Sequence, residues 1–303
     1  MIGLHDADRT RFPNLALMKP SAYHKRQGHA VEWFKQGGGY DVIYSSKVFT
    51  FTPEEPLPEG AIKGGTGYGL YEDLPDEVEW MYPDYSIYPN VSYAIGYLTR
   101  GCIRKCPWCI VPKKEGWIRA DRYWKELIRP DSQDLVLMDN NVLASQFGLS
   151  QMESMIGQPV RVDFNQGLDA RLITPEVAEL LSKLKWIRQI RMAADTDAML
   201  DVVLDRIDLL RTYGVKPYRI FVYVLTQDIP SAERRCIALR EAGADPFAQP
   251  YRDFVSNAEP AKELKDFARW VNNKAVFKSA RTFAEYSTKI RGHNKERTKC
   301  TKT

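Results

Sequence analysis

Short apolar runs and amphipathic stretches alternate along most of this chain. From residue 91 onward, apolar runs predict six strands, at 91–98, 135–138, 160–164, 187–192, 218–225 and 244–248. The clearest helices between them are predicted at 174–185, 197–213 and 231–242. Most of these strands are apolar at consecutive positions, which is expected when both faces of a sheet are covered. The alternation predicts an α/β fold with a parallel sheet, here a partial (β/α)6 TIM-like barrel over residues 91–255.

The first part of the chain has a different pattern and predicts a separate domain. Residues 1–70 combine a helix at 14–27 with short strand candidates punctuated by Gly and Pro, which predicts a small Rossmann-like α/β domain. Residues 71–90 are rich in acids, prolines and tyrosines and are predicted to be an ordered linker. Residues 256–288 are predicted to be helical, and the basic tail 289–303 to be disordered.

Composition and charge indicate where the protein is located more clearly than what it does. Lys and Arg number 43 against 39 Asp and Glu, so the formal charge of +4 says little about partners. No window approaches the roughly 20 apolar residues of a membrane-spanning helix, so no membrane is expected as a partner. The first eight residues include acids where a signal peptide would be basic, which predicts a cytoplasmic protein.

Three of the five cysteines lie close together, at Cys102, Cys106 and Cys109. They follow the first predicted barrel strand, where the loops of such barrels carry active sites. Three thiolates on a four-iron cluster leave one iron without a protein ligand, so that a cofactor can coordinate it. The alternative is a zinc site, but zinc prefers four ligands in paired knuckles and the second pair is missing. These residues therefore favour a single iron–sulfur cluster over zinc, and the resemblance given next implies that it is of the [4Fe-4S] type.

The spacing Cys-x-x-x-Cys-x-aromatic-Cys, with Trp108 as the aromatic residue, resembles the signature of the radical S-adenosylmethionine superfamily. The resemblance covers residues 91–255 and implies S-adenosyl-L-methionine as cofactor, chelated at the open iron. It also implies an enzyme in which an electron from the cluster cleaves the sulfonium, and the resulting 5′-deoxyadenosyl radical abstracts a substrate hydrogen. An electron donor such as flavodoxin or ferredoxin is implied as a partner. No motif identifies the substrate.

The resemblance also implies cofactor-binding residues at the ends of the later strands. Asp139 would lie near the methionyl amino group, although Asp also favours caps and turns. Asn165 and Gln166 would reach into the barrel mouth, and Arg171 could pair with a carboxylate unless it is merely solvated. Asp195 matches the position of an acid that contacts the ribose hydroxyls, and it could equally cap the helix that opens at Asp197. No residue is assigned a catalytic role.

Residues 15–34 resemble the start of the cobalamin-binding-type domain that precedes some of these barrels. Cobalamin therefore stays open as a second cofactor, but the chain has no Asp-x-His-x-x-Gly stretch, and support of the barrel core is the favoured alternative. Only Cys236 and Cys300 follow Cys109, so no second cluster is expected.

The basic tail leaves nucleic acid open as a partner, since cationic arms bind it by releasing counterions, although basic ends also serve only solubility. The competing function from a different class is a metal-stabilised nucleic-acid-binding protein without catalysis. Its metal would be zinc or a structural cluster. Cleavage of S-adenosylmethionine is the property that separates the two functions.

Overall fold

The computed structural model describes residues 1–253 and 256–287. The fold is α/β with several parallel sheets, as the alternating pattern predicts. The chain divides into two compact units, Met1–Gln166 and a second that begins at Gly167. This division falls inside residues 91–255, which the sequence assigns to one core domain.

A four-stranded parallel sheet forms the start of the first unit, with the order β2-β1-β3-β4. Its strands are β1 (Ile2–Asp6), β2 (Val31–Trp33), β3 (Val42–Ser46) and β4 (Ile62–Gly64). Helix α1 (Leu15–Arg26) connects β1 to β2 and begins after Asn14, whose side chain accepts a hydrogen bond from the Ala16 N–H. Leu17 and Met18 of this helix are fully buried, so α1 contributes to the core of the unit.

The rest of the first unit contains a three-stranded parallel sheet with the order β5-β8-β9. Its strands are β5 (Ala94–Gly96), β8 (Asp134–Leu137) and β9 (Arg161–Phe164). A short antiparallel pair, β6 (Thr99–Arg100) and β7 (Arg119–Ala120), follows β5. The helices of this part are α2 (Asp76–Glu79), α3 (Val111–Lys114), α4 (Trp124–Leu127) and α5 (Gln146–Ser154).

The second unit has a parallel sheet with the order β10-β11-β12. Its strands are β10 (Ile190–Ala193), β11 (Ile220–Thr226) and β12 (Asp245–Pro250). Its helices are α6 (Pro175–Lys183), α7 (Asp197–Thr212), α8 (Ile229–Glu241), α9 (Lys262–Asn272) and α10 (Lys274–Ser279). Helices α8 and α9 pack on β12, and Phe267 and Trp270 of α9 are fully buried.

Burial along β11 alternates between buried and half-buried side chains, from Ile220 to Thr226. One face of this strand is therefore more deeply buried than the other, and no residue of the strand is fully exposed. Each of the two later sheets has three strands, and the six-stranded barrel stays a prediction. The predicted linker 71–90 contains α2 and a short 3-10 helix at Tyr85–Ile87. The tail 289–303 lies outside the described residues. Within the described residues, none of the helices is long and apolar enough to cross a membrane.

Candidate metal and cofactor site

The three clustered cysteines lie on a loop whose two ends are joined. Thr99 pairs with Ala120 and Arg100 with Arg119 in the antiparallel pair β6–β7. Residues 101–118 therefore leave and return through the same short ladder, and the N–H of Cys102 donates to the carbonyl of Gly116 at 3.1 Å. We refer to residues 101–118 as the cysteine loop. Its closure restricts how far the three thiols can separate.

Glycine is required immediately before the first cysteine. Gly101 has a φ of +85°, and a Cβ added there would lie 2.4 Å from the carbonyl oxygen of Trp117. A side chain would thus meet rigid backbone on the returning arm of the loop, in a conformation that L residues rarely adopt. The close approach of the two arms depends on this residue.

A buried ion pair links the start of the cysteine loop to its helical turn. Nε of Arg100 lies 2.8 Å from Oε2 of Glu115, and Nη2 lies 3.2 Å from Oε1, an arrangement in which both carboxylate oxygens are used. The Glu115 side chain is only 4% exposed. Burial alone would raise the pKa of Glu115, but the hydrogen bonds and charge of Arg100 outweigh it and hold the pKa below its usual value. The pair therefore stays charged and fixes the loop.

Three consecutive side chains after β8 hold the entry to the cysteine loop. The carboxylate of Asp139 accepts hydrogen bonds from the N–H groups of Leu98 and Thr99 and from the Thr99 hydroxyl. Oδ1 of Asn140 accepts from the N–H of Gly101 at 2.9 Å. Nδ2 of Asn141 donates to Sγ of Cys102 at 3.4 Å. Residues 98–102 are thus bound, almost position by position, by the end of the neighbouring parallel strand.

Asp139 is 1% exposed. Burial raises its pKa to about 7, against the lowering effect of the three hydrogen bonds. Both carboxylate oxygens of Asp139 thus accept hydrogen bonds from Leu98 and Thr99, so that its observed role is to hold the entry to the loop. Its contact with the amino group of a cofactor stays a prediction. The sequence analysis did not identify Arg100, Glu115, Asn140 or Asn141 as site residues, although both asparagines directly follow Asp139, which it did identify.

The cysteine side chains differ in exposure. Cys102 and Cys106 are half-buried and Cys109 is exposed. The N–H of Arg104 donates to Sγ of Cys102 at 3.3 Å, and the N–H of Cys109 donates to the carbonyl of Cys106. Together with the side-chain amide of Asn141, the Arg104 N–H gives this one sulfur two N–H donors.

Within residues 1–253 and 256–287, no three His, Cys, Asp or Glu side chains converge in an arrangement that could hold a metal ion. The donor chemistry fits an iron–sulfur cluster: three thiols on one closed loop, with N–H groups directed at the sulfur of Cys102.

Asn165 and Gln166 follow β9 at the carboxyl end of the same sheet. The N–H of Asn165 donates to the carbonyl of Leu137, which extends the β8–β9 ladder by one residue. The Gln166 amide donates to Oδ1 of Asn165 at 3.2 Å. Parallel strands present their carboxyl ends at one edge, so these two residues share an edge with Asp139.

Arg171 and Asp195 belong to the second unit. Arg171 binds Asp169 through two hydrogen bonds of 2.7 and 3.0 Å, so its guanidinium already has a carboxylate partner from its own loop. Oδ1 of Asp195 accepts from the N–H of Leu225 on β11 at 3.2 Å. The cap of helix α7 is Thr196, which accepts from the Met199 N–H, so a capping role for Asp195 is wrong.

The carboxyl edge of the N-terminal sheet is where a ligand of an open parallel sheet binds, at the point where the strand order reverses. In this protein that point lies between β1 and β3. Asp8, after β1, accepts from the N–H groups of Val48 and Phe49, after β3. His5 contacts Ser45 and Glu55. The segment that follows β3 is thus hydrogen-bonded to Asp8 across this edge. Cobalamin binding at this edge stays a prediction.

No known family has a sequence model that matches the chain, and no curated protein matches it either.

Proposed function

We propose that this protein is a radical S-adenosylmethionine enzyme with a single [4Fe-4S] cluster held by Cys102, Cys106 and Cys109. The observation that carries the proposal is the closed cysteine loop at the carboxyl end of a parallel strand. The spacing of its thiols is that of the superfamily signature, and β6–β7 joins its ends. The partial (β/α)6 barrel predicted from the sequence belongs to this proposal, and the two three-stranded parallel sheets, β5-β8-β9 and β10-β11-β12, support it.

When bound, the cluster would supply the electron that cleaves S-adenosylmethionine, whose 5′-deoxyadenosyl radical then takes a hydrogen atom from the substrate. The residues of this chain would bind the cluster, the cofactor and the substrate and orient them. The three cysteines hold iron, while Asp139 and Asn140 hold the loop that carries them. Asn165, Gln166, Arg171 and Asp195 are proposed to contact the cofactor or the substrate. A small electron carrier of the cytoplasm, such as flavodoxin or ferredoxin, is proposed to supply the electron.

Anaerobic reconstitution with iron and sulfide tests this proposal. We expect about four irons per chain and a brown protein. With a reductant and S-adenosylmethionine, 5′-deoxyadenosine and methionine should form in equal amounts. Replacement of any one of the three cysteines by Ala should abolish both results.

Cys236→Ala is the matched control, because Cys236 is fully buried within helix α8, outside the cysteine loop. This variant should load iron and cleave the cofactor as the unaltered chain does. A full cluster in Cys106→Ala would contradict the proposal. A protein that instead binds zinc, and leaves S-adenosylmethionine intact, would favour the metal-stabilised nucleic-acid-binding protein.

A further inference from the structure

The sulfur of Cys102 receives two N–H groups of different origin. One is the backbone N–H of Arg104, at 3.3 Å, which lies on the loop itself. The other is the side-chain amide of Asn141, at 3.4 Å, which comes from outside the loop. The second contact can be removed by a substitution outside the loop, which leaves the sequence of the loop unaltered.

Asn141 is held in place by the core of the sheet. It is 3% exposed and follows β8, the central strand of the order β5-β8-β9. Its neighbours Asp139 and Asn140 bind backbone N–H groups of residues 98–101, whereas Asn141 binds the sulfur of Cys102, which is a proposed metal ligand.

An N–H group directed at a ligand sulfur stabilises negative charge on that sulfur. Reduction of an iron–sulfur cluster adds an electron, part of which resides on the sulfur ligands, so the hydrogen bond favours the reduced form. Hydrogen bonds to sulfur are among the features that set the potentials of such clusters. In a buried setting the contact is stronger than it would be in water, because the local dielectric constant is low.

We propose that Asn141 raises the reduction potential of the cluster through its hydrogen bond to Cys102. The inference rests on the proposed function, because it requires a cluster on these cysteines. Asn141 touches neither the cofactor nor the substrate in this proposal. It acts on the cluster through Cys102 and so sets how readily an electron enters it.

The test is a redox titration of the reconstituted full-length protein, followed by the electron paramagnetic resonance signal of the reduced cluster. Asn141→Asp has nearly the same shape, loses the N–H donor and adds a negative charge. Asn140→Asp is the matched control: it adds the same charge one residue away and keeps the oxygen that accepts from Gly101. Asn141→Leu removes the donor without adding charge.

At a fixed potential, the ratio of reduced to oxidised cluster in both Asn141 variants should be about tenfold lower than in the unaltered protein, a shift of about 59 mV for a one-electron couple. Asn140→Asp should shift less than Asn141→Asp. Equal potentials in Asn141→Leu and the unaltered protein would overturn the inference and leave the proposed function intact. Failure of both Asn141 variants to load iron would also overturn it, since Asn141 would then be needed for assembly. No cluster in the unaltered protein would overturn both proposals.

Discussion

The carboxylate of Asp139 accepts two hydrogen bonds from Thr99, one from its backbone N–H at 2.6 Å and one from its hydroxyl at 2.7 Å. Thr99 is the first residue of β6, and it pairs with Ala120 at the base of the cysteine loop. The end of β8 therefore fixes the point from which the loop departs. Both residues are almost completely buried, so the contact is removed from water and its charge state matters for stability.

The first prediction concerns the pH dependence that follows from Asp139. Its pKa is about 7 in the folded chain, whereas an unfolded Asp has a pKa near 3.9. Between these values the folded chain binds a proton that the unfolded chain has released. The contribution of Asp139 to stability therefore falls as the pH rises from about 4 to about 7, and it is level above that. The fall should not exceed about 4 kcal/mol.

The measurement is urea unfolding of the full-length protein and of Asp139→Asn across this pH range. The variant has no titrating group at this position, so the difference between the two free energies of unfolding isolates Asp139. As the pH rises from about 4 to about 7, the free energy of unfolding of the unaltered chain should fall relative to that of Asp139→Asn. A difference that is flat, or that favours the unaltered chain at higher pH, would show that the three hydrogen bonds outweigh burial.

The second prediction concerns the two glycines that face each other across the base of the cysteine loop. Gly101→Ala should cost about 1–3 kcal/mol for overpacking against the Trp117 carbonyl, in addition to backbone strain. Gly116→Ala should cost only the strain, about 1 kcal/mol, because a Cβ at Gly116 meets no atom within 4 Å. Iron content after reconstitution should fall in Gly101→Ala and persist in Gly116→Ala. Equal iron loss in both variants would refute the steric argument.

The third prediction concerns the ion pair between Arg100 and Glu115. Glu115→Gln should lower the free energy of unfolding by about 2–3 kcal/mol, because it removes a charge-assisted pair of hydrogen bonds from a buried site. The loss should stay below the 3–5 kcal/mol of a fully orphaned charge, since Arg100 keeps contacts with Asp73 and Glu79. Glu179→Gln is the control: its pair with Lys183 is about half exposed and should contribute about 0.3–0.5 kcal/mol. Equal losses in the two variants would contradict the prediction.

Elements with a clear pattern could be predicted from the sequence. The Thr174-Pro175 start of α6 is confirmed, with the Thr174 hydroxyl accepting from the Val177 N–H. The strand expected at 160–164 is present as Arg161–Phe164, because its apolar residues pack inside the sheet. The strand expected at 91–98 forms only over Ala94–Gly96. Its last part turns away to enter β6, which apolarity alone does not reveal.

Contacts within the site were less predictable than its elements. The pair β6–β7 has two residues in each strand, too few to show any alternation. Arg100 and Glu115 are ordinary charged residues in the sequence, and only the fold brings them together in a buried place. The run Asp139-Asn140-Asn141 could be located at a strand end, but the partner of each side chain depends on the adjacent strand.

The last prediction concerns Asp195 and depends on the proposed function. Its carboxylate accepts from the Leu225 N–H, and a carboxylate has further lone pairs with which to accept from ribose hydroxyls. Asp195→Asn keeps an acceptor for Leu225 but loses the charge, so S-adenosylmethionine should bind about tenfold or more weakly, as for a lost hydrogen bond to a charged group, while stability changes little. Calorimetric titration of the reconstituted protein measures this affinity. Asp197→Asn, on the exposed start of α7, is the control and should bind the cofactor normally. Equal weakening in the two variants would show that Asp195 has no specific contact with the cofactor.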